Sequence, residues 1–344
     1  MQTIVIHAAK DLRIQQAEVK EPGTGQIQIT LAAGGICGSD LHYYHRGGIG
    51  ESIRLQQPMI LGHEVSGYVS ALGEEVNELK VGQLVAVSPS RPCYQCRYCQ
   101  QNLHNHCENM RFYGSAMPYP HIQGAFREVL VADARQCVVA DGLSAGVAAM
   151  AEPLSVCLHA VRRAGEVLGK RVLITGSGPI GTLSVLAARA AGAAEIVVTD
   201  IADAALKYSQ LAGADRTVNV MNEADAMAQY VAGKGYFDIL LECSGTADAL
   251  GTGIAALRPR GVIMQLGLGG DMTLPVQALT AKELDLRGSF RFHEEFAVAV
   301  SMMRSGMIDV KPLISHTFPL AQAVEAFDVA GDRTQAMKVQ LQFG

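Results

Sequence analysis

Residues 171–192 read RVLITGSGPIGTLSVLAARAAG: an apolar, β-prone run, a glycine-rich turn and a helical pattern in direct succession. A buried strand followed at once by a turn and a helix is the first half of a βαβ unit, the connection that parallel strands need. Gly176, Gly178 and Gly181 have the G-x-G-x-x-G spacing. The first permits a tight turn, the second lets a pyrophosphate approach the backbone, and the third lets helix and strand pack closely. Pro179 suits the first helical turn, where its missing N–H costs little. With Ile180 it opens a helix whose free N–H groups face the phosphates. The next strand, EIVVTD, ends in Asp200, near the distance expected for an acid on the ribose hydroxyls. Asp200 repels a 2′-phosphate. Ile201, Ala202 and Asp203 bring no arginine to receive one, so NAD is favoured over NADP.

The runs FDILLEC, GVIMQLG and LDLRGS continue the buried-strand pattern, with helical segments such as AALKYSQLAGA between several strands. They predict a Rossmann doubly wound parallel sheet over residues 151–288. The first 150 residues differ: TIVIHA, GQIQITLAA, EVSGYVSAL and QLVAVS are short strands punctuated by glycine and proline. Two domains in an α/β chain of 344 residues follow. Residues 289–344, with two helical patterns and a terminal strand MKVQLQF, are expected to pack back on the first domain. A net charge of −5 gives no reason to expect nucleic acid or an anionic membrane as partner. The N-terminus lacks the pattern of a signal peptide, and no apolar run is long enough to cross a bilayer, so a cytoplasmic protein is expected.

Four of the eight cysteines, Cys93, Cys96, Cys99 and Cys107, fall in PSRPCYQCRYCQQNLHNHCENM. Four thiolates complete a tetrahedral shell and leave no open position, which is the structural type of zinc site. Iron–sulfur ligation and free thiols are the competing readings. His104 and His106 share the loop and are expected at the surface. Cys37, Ser39, Asp40 and His42 in GGICGSDLHYYH, His63 and Glu64 in LGHEVSG, and Glu152 in MAEPLSV are each unremarkable alone.

In combination and order, GGICGSDLHYY, GHE with VSG, the four-cysteine lobe, AEPL and the glycine loop resemble the zinc-containing medium-chain alcohol dehydrogenase family. The resemblance spans nearly the whole chain. It implies a GroES-like β-rich catalytic domain beside the Rossmann domain, and one catalytic and one structural zinc per subunit. Cys37 and His63 match two catalytic zinc ligands. Glu152 stands where simple alcohol dehydrogenases have cysteine, which is similar to the polyol branch. There Glu64 and Glu152 are both candidates, one direct and one through water, and the sequence does not rank them. By the same resemblance Asp40 accepts a hydrogen bond from a ligating histidine. Ser39 and His42 carry the substrate proton away. Ser244, Gly267 and Ser289 join the glycine loop on the cofactor, and Tyr43, Phe112 and Arg291 line the substrate cleft. The subunits are expected to form a homodimer or homotetramer by edge-to-edge sheet contact, with GVIMQLGLGG as the candidate surface.

MRFYGSAMPYPH, KGYFDILLECSG, RPRGVIMQLGLGG and KELDLRGSFRF narrow the resemblance to members that act on sugar acids. Arginine grips a carboxylate in bidentate fashion, and Arg46 and Arg111 are further cations near the cleft segments. His45 and His121 are near enough in sequence to share it. The alternatives are a neutral-polyol dehydrogenase, a threonine-dehydrogenase-like activity and a non-catalytic nucleotide-binding protein of the same fold.

Overall fold

The computed structural model describes residues 1–344, the side chain of Ala224 apart. Its parallel sheet has six strands in the order Arg216–Asn219, Glu195–Asp200, Arg171–Thr175, Phe237–Glu242, Leu257–Gln265 and Asp285–Gly288. Strand residues alternate between two cores. Ile174, Val198 and Leu241 enter one, and Leu173, Val197 and Leu240 enter the other. A sheet covered on both faces needs apolar side chains at every position, which explains the continuous apolar runs. Strand order reverses between Arg171–Thr175 and Phe237–Glu242, opening a crevice at their carboxyl ends.

The first lobe is built on a seven-stranded sheet. Its central strand, Gln26–Gly35, is flanked by Glu64–Leu72 and by the last strand of the chain, Lys338–Gln342. Lys338–Gln342 in turn pairs with Ile314–Pro319. Ile27, Ile29, Leu31, Phe126 and Leu341 fill the core beneath. The end of the chain thus returns to the first lobe, but not all of residues 289–344 goes with it. The helix Glu295–Arg304 puts Phe296, Ala299 and Val300 into the Rossmann core, because its apolar stripe meets the helix Ala151–Ala164. That second helix starts at Ala151, so Glu152 lies in its first turn, ahead of Pro153.

The proposed oligomer surface also shifts. Leu257–Gln265 is an interior strand with Ile263 and Met264 buried, and only the loop beyond it is exposed. The edges of the sheet are Arg216–Asn219 and Asp285–Gly288, and the second carries the exposed Leu286. None of the described helices is long and apolar enough to cross a membrane.

Leu341 is fully buried at the seam between the chain end and the central strand. Leu341→Ala should destabilise the protein by about 2–5 kcal/mol through the cavity it leaves, read as a lowered urea midpoint with unchanged far-UV circular dichroism.

Candidate active site

The helix Gly38–Arg46 starts at Cys37, and the side chain of Asp40 turns back to accept the N–H of Cys37 at 3.0 Å. The other Asp40 oxygen accepts the N–H of Gly62 at 3.1 Å. One buried carboxylate therefore ties the turn carrying Cys37 to the turn carrying His63. This corrects the expected bond to histidine. His63 Nδ1 is 3.7 Å from the Asp40 oxygen that accepts from Gly62, beyond a hydrogen bond, because the two backbone N–H groups fix where that carboxylate sits.

Ligand atoms of Cys37, His63 and Glu64 lie within 4.8 Å of one another. Glu64 opens its strand beside them and is held by Lys338, whose Nζ donates to the two carboxylate oxygens at 2.8 and 2.7 Å. Both side chains are buried. Lys338 drew no attention in the sequence, where it is one lysine in a short terminal strand. Glu152 is buried beside the cluster but outside that 4.8 Å set, and no described residue hydrogen-bonds its carboxylate. Burial pushes it up to about 8, against the pull of His63. Burial likewise drives the Cys37 thiol up to about 12. A thiol, an imidazole and a carboxylate converging in a dry site fit a divalent zinc ion, which supplies the positive charge that burial denies them.

Ser39 Oγ is 3.5 Å from His63 Nε2. His42 lies one helical turn on, half-buried. Burial, aided by Arg46 and Arg333, lowers its pKa and so favours the neutral ring. The Phe112 ring faces His63 at 5.5 Å, and the Arg291 guanidinium lies 4.2 Å from the centre of Phe112. The Arg291 Nη2 contact at 3.4 Å is the thioether of Met117, and Arg291 has no carboxylate partner among the described residues. Burial lowers its pKa to about 10. Tyr43 is less available than expected: its ring is buried in the first core and its hydroxyl accepts the N–H of Ala116 at 3.0 Å. Arg46, Arg111 and His45 are exposed. His121 is buried and occupied, accepting from Gln56 N–H at 2.9 Å and meeting the Pro118 carbonyl at 2.9 Å.

In the glycine loop, Gly176 has φ +88°, and Gly178 faces open space where phosphates would approach. A Cβ on Gly181 would strike the Gly176 carbonyl. Pro179 is the first helical residue and Ile180 the second. Asp200 accepts from Ser177 N–H at 2.6 Å and from Ile201 and Ala202 N–H at 2.7 and 2.9 Å, which hold it at the end of its strand. Across the crevice, Ser244 donates to Glu242 through N–H and hydroxyl, and Gly267 packs so closely on Gly245 that a Cβ would not fit. Ser289 N–H donates to Gln265 at 3.0 Å, while its buried hydroxyl has no partner among the described residues. The fully buried Glu242, which also accepts from Gln265 at 2.6 Å, organises this side of the crevice and was not singled out in the sequence.

The sulfurs of Cys93, Cys96, Cys99 and Cys107 also lie within 4.8 Å of one another, and all eight cysteines are free thiols. Backbone N–H groups point at the sulfurs: Cys93 at Cys107, Cys96 at Cys93 and Asn109 at Cys107, at 3.2–3.3 Å. N–H groups of Gln95 and Cys96 pull the Cys93 thiol down to about 6. Such a shell fits a structural zinc. His106 is exposed as expected, but His104 is half-buried and stacks on His293 at 4.1 Å.

Residues 23–142 match the alcohol dehydrogenase GroES-like domain, and residues 179–305 match the zinc-binding dehydrogenase family. The L-idonate 5-dehydrogenase (NAD(P)(+)) of Escherichia coli K12 is 44% identical, the match covering 99% of this chain and 98% of that one. Its crystal structure superposes with a TM-score of 0.95, again covering 99% and 98%. Human sorbitol dehydrogenase is 36% identical over 95% of this chain and 91% of its own. The galactitol-1-phosphate dehydrogenase structure from E. coli, at 26% identity, superposes with a TM-score of 0.88 over 99% of this chain and 98% of that one.

Removing one half of a buried ion pair leaves the other charge uncompensated. Lys338→Met should cost about 3–5 kcal/mol in urea denaturation. A Lys338→Met, Glu64→Leu double variant should recover much of that loss, because no charge is then left stranded.

Proposed function

Since the chain belongs to the zinc-containing medium-chain alcohol dehydrogenase family, we propose that it oxidises L-idonate at C5 to 5-keto-D-gluconate, reversibly, with hydride transfer to NAD. The observation that carries the substrate is Arg291. Its guanidinium is half-buried, stands over Phe112 next to His63, and has no carboxylate within ion-pairing distance among the described residues, Glu152 acting on it only from farther off. A partly desolvated cation with no direct ion-pair partner is costly unless a ligand supplies one, and the carboxylate of a sugar acid does so. The similarity to the L-idonate enzyme agrees with this.

In this reading Cys37, His63 and Glu64 hold the catalytic zinc, with Glu152 beside it as a further ligand or its link through water. Cys93, Cys96, Cys99 and Cys107 hold a second, structural zinc. The catalytic ion, when bound, acidifies the substrate hydroxyl. The chain's own residues do the rest. Ser39 Oγ would take the hydroxyl proton as it gives up its own, and His42 would pass a proton on to solvent. Phe112 covers the cleft, and Tyr43 braces its wall against Ala116. Gly176, Gly178, Pro179, Ile180 and Gly181 cradle the pyrophosphate at the helix N-terminus. Asp200 takes the ribose hydroxyls, which favours NAD over NADP, while Ser244, Gly267 and Ser289 line the nicotinamide side. Subunits pair through the sheet edge Asp285–Gly288 as a homodimer or homotetramer, in the cytoplasm. The second reading is a neutral-polyol dehydrogenase, favoured by the sorbitol dehydrogenase relatives.

Arg291→Ala should raise KM for L-idonate by about a hundredfold, the scale of one charged hydrogen-bonded contact, and KM for sorbitol far less. An equal rise on both substrates would sink the carboxylate role. Cys37→Ser should abolish turnover while a zinc count by mass spectrometry still finds the ion in the four-cysteine lobe. Full turnover in that variant without its catalytic zinc would refute the site.

A further inference from the structure

Arg291 occupies a left-handed backbone conformation, φ +55°, which a non-glycine residue adopts only when its surroundings insist. Neither its N–H nor its carbonyl finds a protein partner among the described residues, so the conformation is held through its neighbours. On the incoming side, Gly288 and Ser289 are anchored to the Rossmann domain: the Gly288 carbonyl accepts from Arg163 at 2.8 Å, and Ser289 N–H donates to Gln265. Phe292, directly after Arg291, is buried in the Rossmann core, whereas Phe290, directly before it, and His293, two residues after it, are met by the four-cysteine lobe. Asn105, buried at 7% exposure between Cys99 and Cys107, donates its side-chain N–H to the Phe290 carbonyl at 2.9 Å. His104 stacks on His293 with an interplanar angle of 18°. The lobe thus grips the chain on both sides of the cleft arginine.

We propose that the four-cysteine lobe positions the substrate-binding arginine, with Asn105 as the positioning residue and the His104–His293 stack as its support. A zinc-closed loop is rigid, and a buried side-chain amide aimed at one carbonyl transmits that rigidity to Phe290. The guanidinium is carried at the end of a long side chain, where a small backbone rotation at residue 291 displaces it by ångströms. The lobe is therefore a specificity element although none of its sulfurs touches substrate. The substrate part of the proposal rests on the carboxylate reading above.

The test is a double-mutant cycle on the zinc-loaded enzyme. Asn105→Ala should raise KM for L-idonate on the order of tenfold, the scale of one hydrogen bond. It should leave kcat, the sorbitol KM and the zinc count of the lobe near those of the parent. In the Arg291→Ala background the same substitution should add nothing. An unchanged L-idonate KM, an equal loss on both substrates or a full-sized effect without Arg291 each overturns the proposal. If Asn105→Ala fails to fold or loses the lobe zinc, His104→Ala takes its place in the same cycle, with His104→Phe expected to restore the stack and the KM. Should Arg291→Ala itself treat L-idonate and sorbitol alike, the carboxylate reading falls. The positioning claim is then judged by whether the two substitutions couple on whichever KM Arg291→Ala raises.

Discussion

The ion pair between Lys338 and Glu64 is buried where three strands of the first lobe meet, and the neighbouring structure follows from keeping it closed. Each charge taken out of water costs several kcal/mol, repaid only when the partners meet squarely. Squareness here depends on three strands in register. Glu64 opens one, Gly35 ends the next, and Lys338 begins the third. Gly35 has no side chain because the Glu64 carboxylate passes where its Cβ would stand. Once paired, Glu64 faces Cys37 and His63 with its charge balanced, and Glu152 is left as the carboxylate that no described side chain claims.

The Rossmann half was readable because its physics is local. A strand, a glycine turn and a helix are contiguous, and the conformations of Gly176 and Gly181 follow from the spacing alone. The four-cysteine lobe was readable for the same reason. The helix Gly38–Arg46 was harder. Its buried stripe has helical spacing, at positions 40, 43 and 44, but it is written in one aspartate and two tyrosines. A pattern search for apolar periodicity passes over it. The catalytic cluster was invisible to spacing, since its members are separated by up to 115 residues of chain and Lys338 lies farther still. Family resemblance supplied Cys37, His63 and Glu152. It placed Asp40 beside His63, as the structure does, but at 3.7 Å, with the carboxylate bonded instead to the backbone of two turns, and it gave no hint of Lys338, Glu242 or Asn105. Those three act through contacts with atoms distant in sequence or at a strand end, and no local pattern marks such contacts.

Burial separates the arginines in a way that sequence proximity did not. Arg46 and Arg111 are exposed, where solvent screening makes an ion pair worth little. Arg291 is half-buried among Phe112, Phe290 and Met117, where a carboxylate would meet it with little competing water. Its placement depends on a loop that belongs to neither sheet. The four-cysteine lobe and the Cys37, His63 and Glu64 cluster, separate in chemistry, therefore converge on one cleft.

The position of the last strand has a consequence for how the molecule is made. Gln26–Gly35 has Glu64–Leu72 along one side, and along the other Val129–Asp133 covers Gln26–Thr30 while Lys338–Gln342 covers Ala33–Gly35, so the carboxyl end of that second side stays unpaired until Lys338–Gln342 has been made. The Rossmann sheet runs from residue 171 to residue 288 and can close during synthesis, using contacts already emerged. The first lobe, though made earlier, must wait with an open edge and an unbalanced Glu64. Synthesis at several residues per second makes that wait many seconds long. An early truncation of the product removes Lys338 and leaves a chain with a complete nucleotide fold and an unfinished catalytic lobe, which exposes the strand edge that aggregation and quality control recognise.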